Sequence, residues 1–233
     1  MKELNVLFED KNIIVCEKTV GVHSEEKDDS LDMVKLIREH KTKNGEDTYV
    51  GVVHRLDVTT GGVILYAKNK KTAAFYSAIV SDKEKFTKEY YAVIHGKPEE
   101  NRSVLEDFLF KDGRKNKSYV VKKMRNGVKK ASLEYEIKDT VNYKGKIISL
   151  VKIKLHTGRT HQIRVQFSSR GFPLLGDGKY GSKDNRCDTA LWAYKLTTKV
   201  SSVKKSDEIK EFVSYPDLSK YPWNLFEDFL KGN

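Results

Sequence analysis

Two stretches of strict alternation constrain this chain most. Leu133, Tyr135 and Ile137 alternate with Glu134, Glu136 and Lys138, and Val151, Ile153 and Leu155 alternate with Lys152 and Lys154. A period of two puts the apolar set on one face of a strand and the charged set on the other. Both segments therefore read as half-buried strands of a sheet with one wet face. Shorter strand-like runs precede and follow them. Val6–Phe8 and Ile13–Cys16 flank the turn residues Asp10 to Asn12 and read as a hairpin. Val50–Val53, Val63–Tyr66, Tyr90–Ile94 and Leu191–Thr197 read as further strands.

Helices are fewer. Ser30 is placed to cap one through Arg38, with Leu31, Val34 and Ile37 on one face. Asn69 is placed to cap another running to about Ile79, a short helix is expected from near Thr160 to Ser168, and Trp223–Leu230 reads as a terminal helix. Many strands, few helices and no regular βαβ alternation predict the α+β class. The polar stretches Ser24–Ser30 and Lys41–Thr48 read as surface loops, and neither marks a domain boundary. The expectation is one domain over residues 1–233.

Charge narrows the partners. Lysine and arginine number 44 against 33 acids, a net charge of +11, which favours a polyanion but equally fits a lysine-rich surface. Nine of those cations and one acid, Asp112, fall between Lys111 and Lys130, a run read either as a phosphate grip or as a solvated hairpin. No segment reaches the roughly 20 apolar residues of a membrane span, and the N-terminus lacks a signal-peptide pattern. Cys16 and Cys187 stand alone, without a CxxC motif, and read as reduced thiols of the cytoplasm.

Three segments carry the chemistry. His54-Arg55-Leu56-Asp57-Val58-Thr59-Thr60-Gly61-Gly62 sets charged groups at a strand-to-turn junction, where binding and catalytic groups concentrate, although an Arg–Asp ion pair over a glycine turn reads equally well. Lys88-Glu89-Tyr90-Tyr91 places a tyrosine that either fills the core or offers its ring to a base. Thr157-Gly158-Arg159-Thr160-His161-Gln162-Ile163-Arg164 is followed by Gly176-Asp177-Gly178-Lys179-Tyr180-Gly181. Gly158 is expected to turn the chain into the helix. The later glycines do not make a Walker A loop, and His156 and His161 lack a third metal ligand nearby.

Taken together and in this order, HRLD-x-x-T before glycine, K-x-Y, GRTHQIR and GD-x-x-YG resemble the RluA-type family of RNA pseudouridine synthases, over about residues 5 to 215. The resemblance implies a mixed, largely antiparallel sheet with a central active-site cleft, and no metal or cofactor. It implies that Asp57 is the catalytic carboxylate, that Tyr90 packs on the target uracil, and that Arg164 pairs with the aspartate. Arg55 then fills the space left by the flipped base, with His54 beside it, and Lys122, Lys123 and Arg125 are the expected phosphate contacts. The implied substrate is structured RNA, ribosomal or transfer, handled by a cytoplasmic monomer without a separate N-terminal RNA-binding module.

Three positions depart from the family pattern: Gly61 where Ser or Thr is usual, Thr19 where Pro is usual, and Trp192 where His is usual. They bear on loop rigidity and substrate choice. The rival reading is a non-catalytic RNA-binding or assembly factor that kept the fold. A glycoside hydrolase would want two placed carboxylates and leaves the basic charge unexplained.

Overall fold

The computed structural model describes residues 4–201 and 207–232. In chain order the strands are β1 (Asn5–Glu9), β2 (Ile13–Lys18), β3 (Gly51–Val52), β4 (Gly61–Ala67), β5 (Phe86–His95), β6 (Arg102–Asp112), β7 (Lys117–Val121), β8 (Val128–Tyr143), β9 (Lys146–Leu155), β10 (Leu191–Ser201) and β11 (Asp207–Val213). The helices are α1 (Met33–Lys43), α2 (Lys70–Ile79), α3 (Gln162–Ser168) and α4 (Glu227–Lys231), with 3-10 turns at Gly178–Tyr180 and Trp223–Phe226. Among the described residues no helix is long and apolar enough to cross a membrane.

The chain divides into two compact units. The first holds residues up to Lys88 together with Ala193–Ser214, and the second holds Glu89–Trp192 together with residues from Tyr215 onward.

In the first unit the strands run β1-β2-β4-β10, with β11 on β10 and β3 on β4. The β1–β2 hairpin turns where expected, because the Asp10 carboxylate accepts from Asn12 N and Ile13 N, both at 2.7 Å. β4 is buried along its whole length, which is why Gly61-Gly62-Val63-Ile64-Leu65-Tyr66-Ala67 shows no alternation. Its Val63 and Leu65 join Ile13, Val15, Tyr76, Phe86 and Leu196 in the core. α2 begins as expected, with the Asn69 side chain accepting from Thr72 N at 2.9 Å.

Three expectations for this unit need correction. The cap of α1 is Asp32, whose Oδ1 accepts from Lys35 N at 2.8 Å, and Leu31 lies outside the helix, 41% exposed. The strand at Val50–Val53 shrinks to Gly51–Val52. Lys41 belongs to α1 and is buried, its ammonium donating to the carbonyl of Tyr49 at 2.7 Å, so the loop expected at Lys41–Thr48 starts later.

In the second unit the order is β5-β9-β8-β6-β7. β6–β7, β6–β8 and β8–β9 are all antiparallel. Leu133 and Tyr135 are buried as the alternation requires, and Ile137 marks the point where the register slips. The bulge between Ile137 and Asp139 sets an extra residue, Lys138, into β8, while the opposing Leu150 and Val151 of β9 are both buried, one on each face. α3 lies against this sheet, Val165 packing with Leu109, Ala131 and Tyr180. The observed architecture is α+β with a mostly antiparallel sheet.

Candidate active site

In the first unit the HRLD segment fills the link from β3 to β4, and its backbone is held on both sides of Asp57. Before it, the Ser24 hydroxyl donates to Leu56 O at 2.8 Å and accepts from Leu56 N at 3.0 Å. After it, Val58 O accepts from Gly21 N at 2.8 Å and from the Lys18 ammonium at 3.4 Å. Asp57 O itself accepts from Thr60 N at 2.9 Å. Lys18 is fully buried, and its charge is also met by the carbonyls of Val22 at 2.8 Å and Thr19 at 3.2 Å. A buried lysine is costly unless its donors are satisfied, so this ammonium acts as a knot tying the 18–22 turn to the residue next to Asp57. Asp57 is part-buried.

Gly62 explains the glycine of this block. Its φ is 113°, and an added Cβ would lie 2.1 Å from the Ala193 carbonyl oxygen. No residue with a side chain fits there.

His54 and Arg55 are placed differently from each other. Arg55 stands at the surface, 58% exposed, paired with Glu25 at 2.7 Å. Such an exposed pair is worth little, about 1 kcal/mol at most, so Arg55 is free to exchange Glu25 for a ligand. His54 points into the core. Its Nε2 accepts from Leu65 N at 3.2 Å, its ring meets the Phe86 ring edge-on at 5.3 Å, and Nδ1 is buried without a hydrogen-bond partner. The expected RNA contact of His54 does not fit this burial; the side chain supports the segment from beneath.

That placement has a pH consequence. Burial, with the nearby Lys88 charge second, pushes the His54 imidazole down to about 3. The unfolded chain binds a proton near pH 6.5 while the folded chain stays neutral. Stability is therefore complete above about pH 6.5 and falls by about 1.4 kcal/mol per pH unit as pH drops toward 3. Urea midpoints at pH 7 and pH 5 should show this, and His54→Gln should shrink the difference by about one proton's worth. An unchanged pH slope would remove His54 as its source.

The second unit carries Tyr90 and Arg164. Tyr90 and Tyr91 are both buried in β5, 5% and 4% exposed. Arg164 sits in α3 and is 4% exposed. Its Nε donates to Asp177 Oδ2 and its NH2 group to Asp177 Oδ1, both at 2.7 Å, a bidentate pair. The guanidinium lies 5.1 Å from the centre of the Tyr180 ring. The Tyr180 hydroxyl accepts from Ser118 N at 2.8 Å and lies 3.0 Å from His161 Nδ1.

The turn into α3 is made by His161, at φ 52°, and not by Gly158 as expected. A left-handed histidine costs roughly 1 kcal/mol or more and is retained because its ring grips Tyr180. Gln162 fixes the same turn, its Oε1 accepting from the Thr157 hydroxyl at 2.7 Å and from Arg159 N at 3.0 Å. Lys122, Lys123 and Arg125 are exposed in the link between β7 and β8.

Sequence reasoning missed Lys18, Ser24, Asp177 and Tyr180 as supports. The available signal for Asp177 was an acid between two glycines in the GD-x-x-YG block. Gly176 is needed there because, at φ 73°, a Cβ would meet the Asp188 carbonyl oxygen at 2.2 Å.

A family described as RNA pseudouridylate synthase matches residues 12–169. Ribosomal large subunit pseudouridine synthase D of Borreliella burgdorferi is 34% identical over 219 residues, covering 90% of this chain and 64% of that protein. An uncharacterized RNA pseudouridine synthase of Bacillus subtilis is 33% identical over 181 residues, 77% of this chain and 58% of its own length. The chain thus spans about three-fifths of the length of these curated relatives. In fold it is similar to human RNA Pseudouridylate Synthase Domain Containing 1, with a TM-score of 0.73 and 24% identity over 95% of this chain and 86% of that one. Human RNA Pseudouridylate Synthase Domain Containing 4 gives a TM-score of 0.72 at 20% identity, over 91% of this chain and 88% of that one.

Proposed function

Because this chain belongs to the RNA pseudouridylate synthase family, we propose that it isomerises uridine to pseudouridine in structured RNA, ribosomal or transfer, with Asp57 as the catalytic carboxylate. The observation that carries the proposal is the clamp on the HRLD segment: Leu56 and Val58, the two neighbours of Asp57, are each held by buried polar groups. Chemistry at an acceptor of this kind depends on a group held in place before the substrate arrives.

The reaction breaks the N1–C1′ bond, turns the uracil and joins C5 to C1′, with a proton leaving C5 and one gained at N1. Atoms and oxidation state balance without a co-reactant. A carboxylate serves either as covalent nucleophile or as stabiliser of a cationic sugar. Tyr90 is assigned to pack on the uracil and Arg164 to supply positive charge for the carboxylate. Arg55 is assigned to the space that the flipped base vacates, a role its planar guanidinium suits. The chain is proposed to work as one catalytic domain, as a cytoplasmic monomer.

Incubation with bulk cellular RNA, followed by mapping of new pseudouridines, tests class and substrate together. RNA binding without any new pseudouridine would give the protein over to the non-catalytic reading. Affinity is expected to be largely electrostatic. Its logarithm should fall with log salt by about 0.7 per phosphate neutralised on a single strand. Replacing Lys122, Lys123 and Arg125 with Ala should flatten that slope by about 2. A slope that stays put would move the RNA path to another face.

A further inference from the structure

The β6–β7 hairpin has two unlike faces. Leu109 and Val120 point to the side where Val165, Ala131 and Tyr180 pack. Side chains alternate along a strand, so Phe108 and Phe110 of β6 stand on the other side, with Tyr119 of β7 directly opposite Phe110. Those three rings are only partly buried. Aromatic side chains left half in water on a sheet face are the exception, and here they are surrounded by cations. Arg125 lies 5.3 Å from the centre of the Phe110 ring; Lys117 lies 5.8 Å from that of Tyr119 but nearer, at 5.0 Å, to that of Tyr180 on the other side, where its ammonium donates to the Lys179 carbonyl. Lys130 is paired with Phe108 across the β6–β8 ladder and is exposed. Two acids of β6 share this face by alternation, Glu106 beyond Phe108 and Asp112 beyond Phe110, and Asp112 Oδ1 already accepts from Arg114 N at 2.9 Å and Lys115 N at 3.1 Å in the hairpin turn.

Two classes of partner can cover aromatic surface, an apolar protein face or nucleobases. The surround decides between them. Nine cations against one acid from Lys111 to Lys130 would leave a protein interface full of desolvated like charges, whereas a polyanion with flat bases satisfies rings and cations together. We propose that this face is a stacking platform for unpaired RNA nucleotides outside the modified uridine, with bases on Phe110 and Tyr119 and phosphates on Arg125 and Lys130. It rests on the RNA reading of the function and adds what that reading does not specify: the face prefers single-stranded over paired RNA. Paired bases hide their π-faces, and only splayed ones can lie on a side-chain ring.

The test compares binding of an unstructured oligouridine with binding of a fully paired RNA hairpin of equal phosphate count, by fluorescence anisotropy on the full chain. Changing Phe110→Leu and Tyr119→Leu together keeps apolar bulk in the hairpin but removes both π-faces. The expected result is about a tenfold or greater loss for the oligouridine and no change for the hairpin. The salt slope should stay the same, because no cation is lost. Phe110→Tyr with Tyr119→Phe, which keeps both rings, should bind the oligouridine like the parent. An equal loss for both RNAs, or an unaltered oligouridine affinity, overturns the platform while leaving the proposed reaction standing. A parent protein that binds neither RNA overturns both.

Discussion

The Asp57→Asn protein folds normally, binds RNA at least as tightly as the parent, and loses pseudouridine formation by at least about a thousandfold. Each part of this expected result has its own cause. Folding survives because the groups that fix the segment act on the backbone: Ser24 on Leu56, Lys18 and Gly21 on Val58, and Thr60 N on the carbonyl of residue 57. Asn preserves those contacts and the side-chain shape. Binding survives because affinity comes from a net charge of +11, and removing an anion subtracts one repulsion with phosphate. Turnover fails because a neutral amide is neither an anionic nucleophile nor a counter-charge for a cationic sugar. Thermal melting, anisotropy and mass spectrometry of the treated RNA read the three parts separately. Retained turnover would sink the mechanism. A collapsed fold would show that the carboxylate, and not the backbone clamp, holds the segment.

The parts of the fold that were legible in the sequence are those where one local signal had no competitor. Asn69 before an amphipathic run gave α2 its start, and period-two alternation gave β8 and β9. α1 shows what happens with two candidates. Ser30 and Asp32 are both good caps, and Asp32 takes the role because it is also fixed from outside the helix, accepting from Lys27 N at 3.1 Å, while Met33 N donates to His23 O at 2.8 Å. β6 escaped notice because its apolar residues fall on both faces: Leu105 and Leu109 inward, Phe108 and Phe110 outward. β11 hides for a similar reason, with Ile209 and Val213 exposed and Phe212 buried.

The blocks of the candidate site stand out in the sequence, and the residues that support them do not. Lysine reads as surface, yet Lys18 and Lys41 are 0% and 1% exposed because backbone carbonyls satisfy their ammonium groups. No local pattern records a carbonyl brought in from 40 residues away, as Val58 O is to Lys18. The partnership of Arg164 with Asp177 is hidden in the same way, although each residue stood in a block already singled out.

That partnership sets the largest stability effect to be expected. Arg164 and Asp177 have side chains 5% and 1% exposed and meet through two charge-assisted hydrogen bonds. Asp177→Leu leaves a guanidinium out of water without the carboxylate that matches its fork, and breaking a buried pair this way costs about 3–5 kcal/mol. For a chain of this length that is roughly 6–20 °C of melting temperature. The loss comes from a buried guanidinium that has lost its bidentate carboxylate, not from the missing attraction alone. Removing the charge as well, in Arg164→Met with Asp177→Leu, should therefore recover a large part of the stability, because an apolar pair carries no desolvation debt. Stability and activity then part company. If Arg164 serves the reaction by its charge, the stable double variant still forms no pseudouridine, whereas a purely structural Arg164 lets turnover return with the fold. Melting temperatures of the two variants, beside a pseudouridine assay below both of them, separate these cases. A double variant no more stable than Asp177→Leu would mean that the pair holds the turn at Gly176–Tyr180 by geometry and not by charge balance.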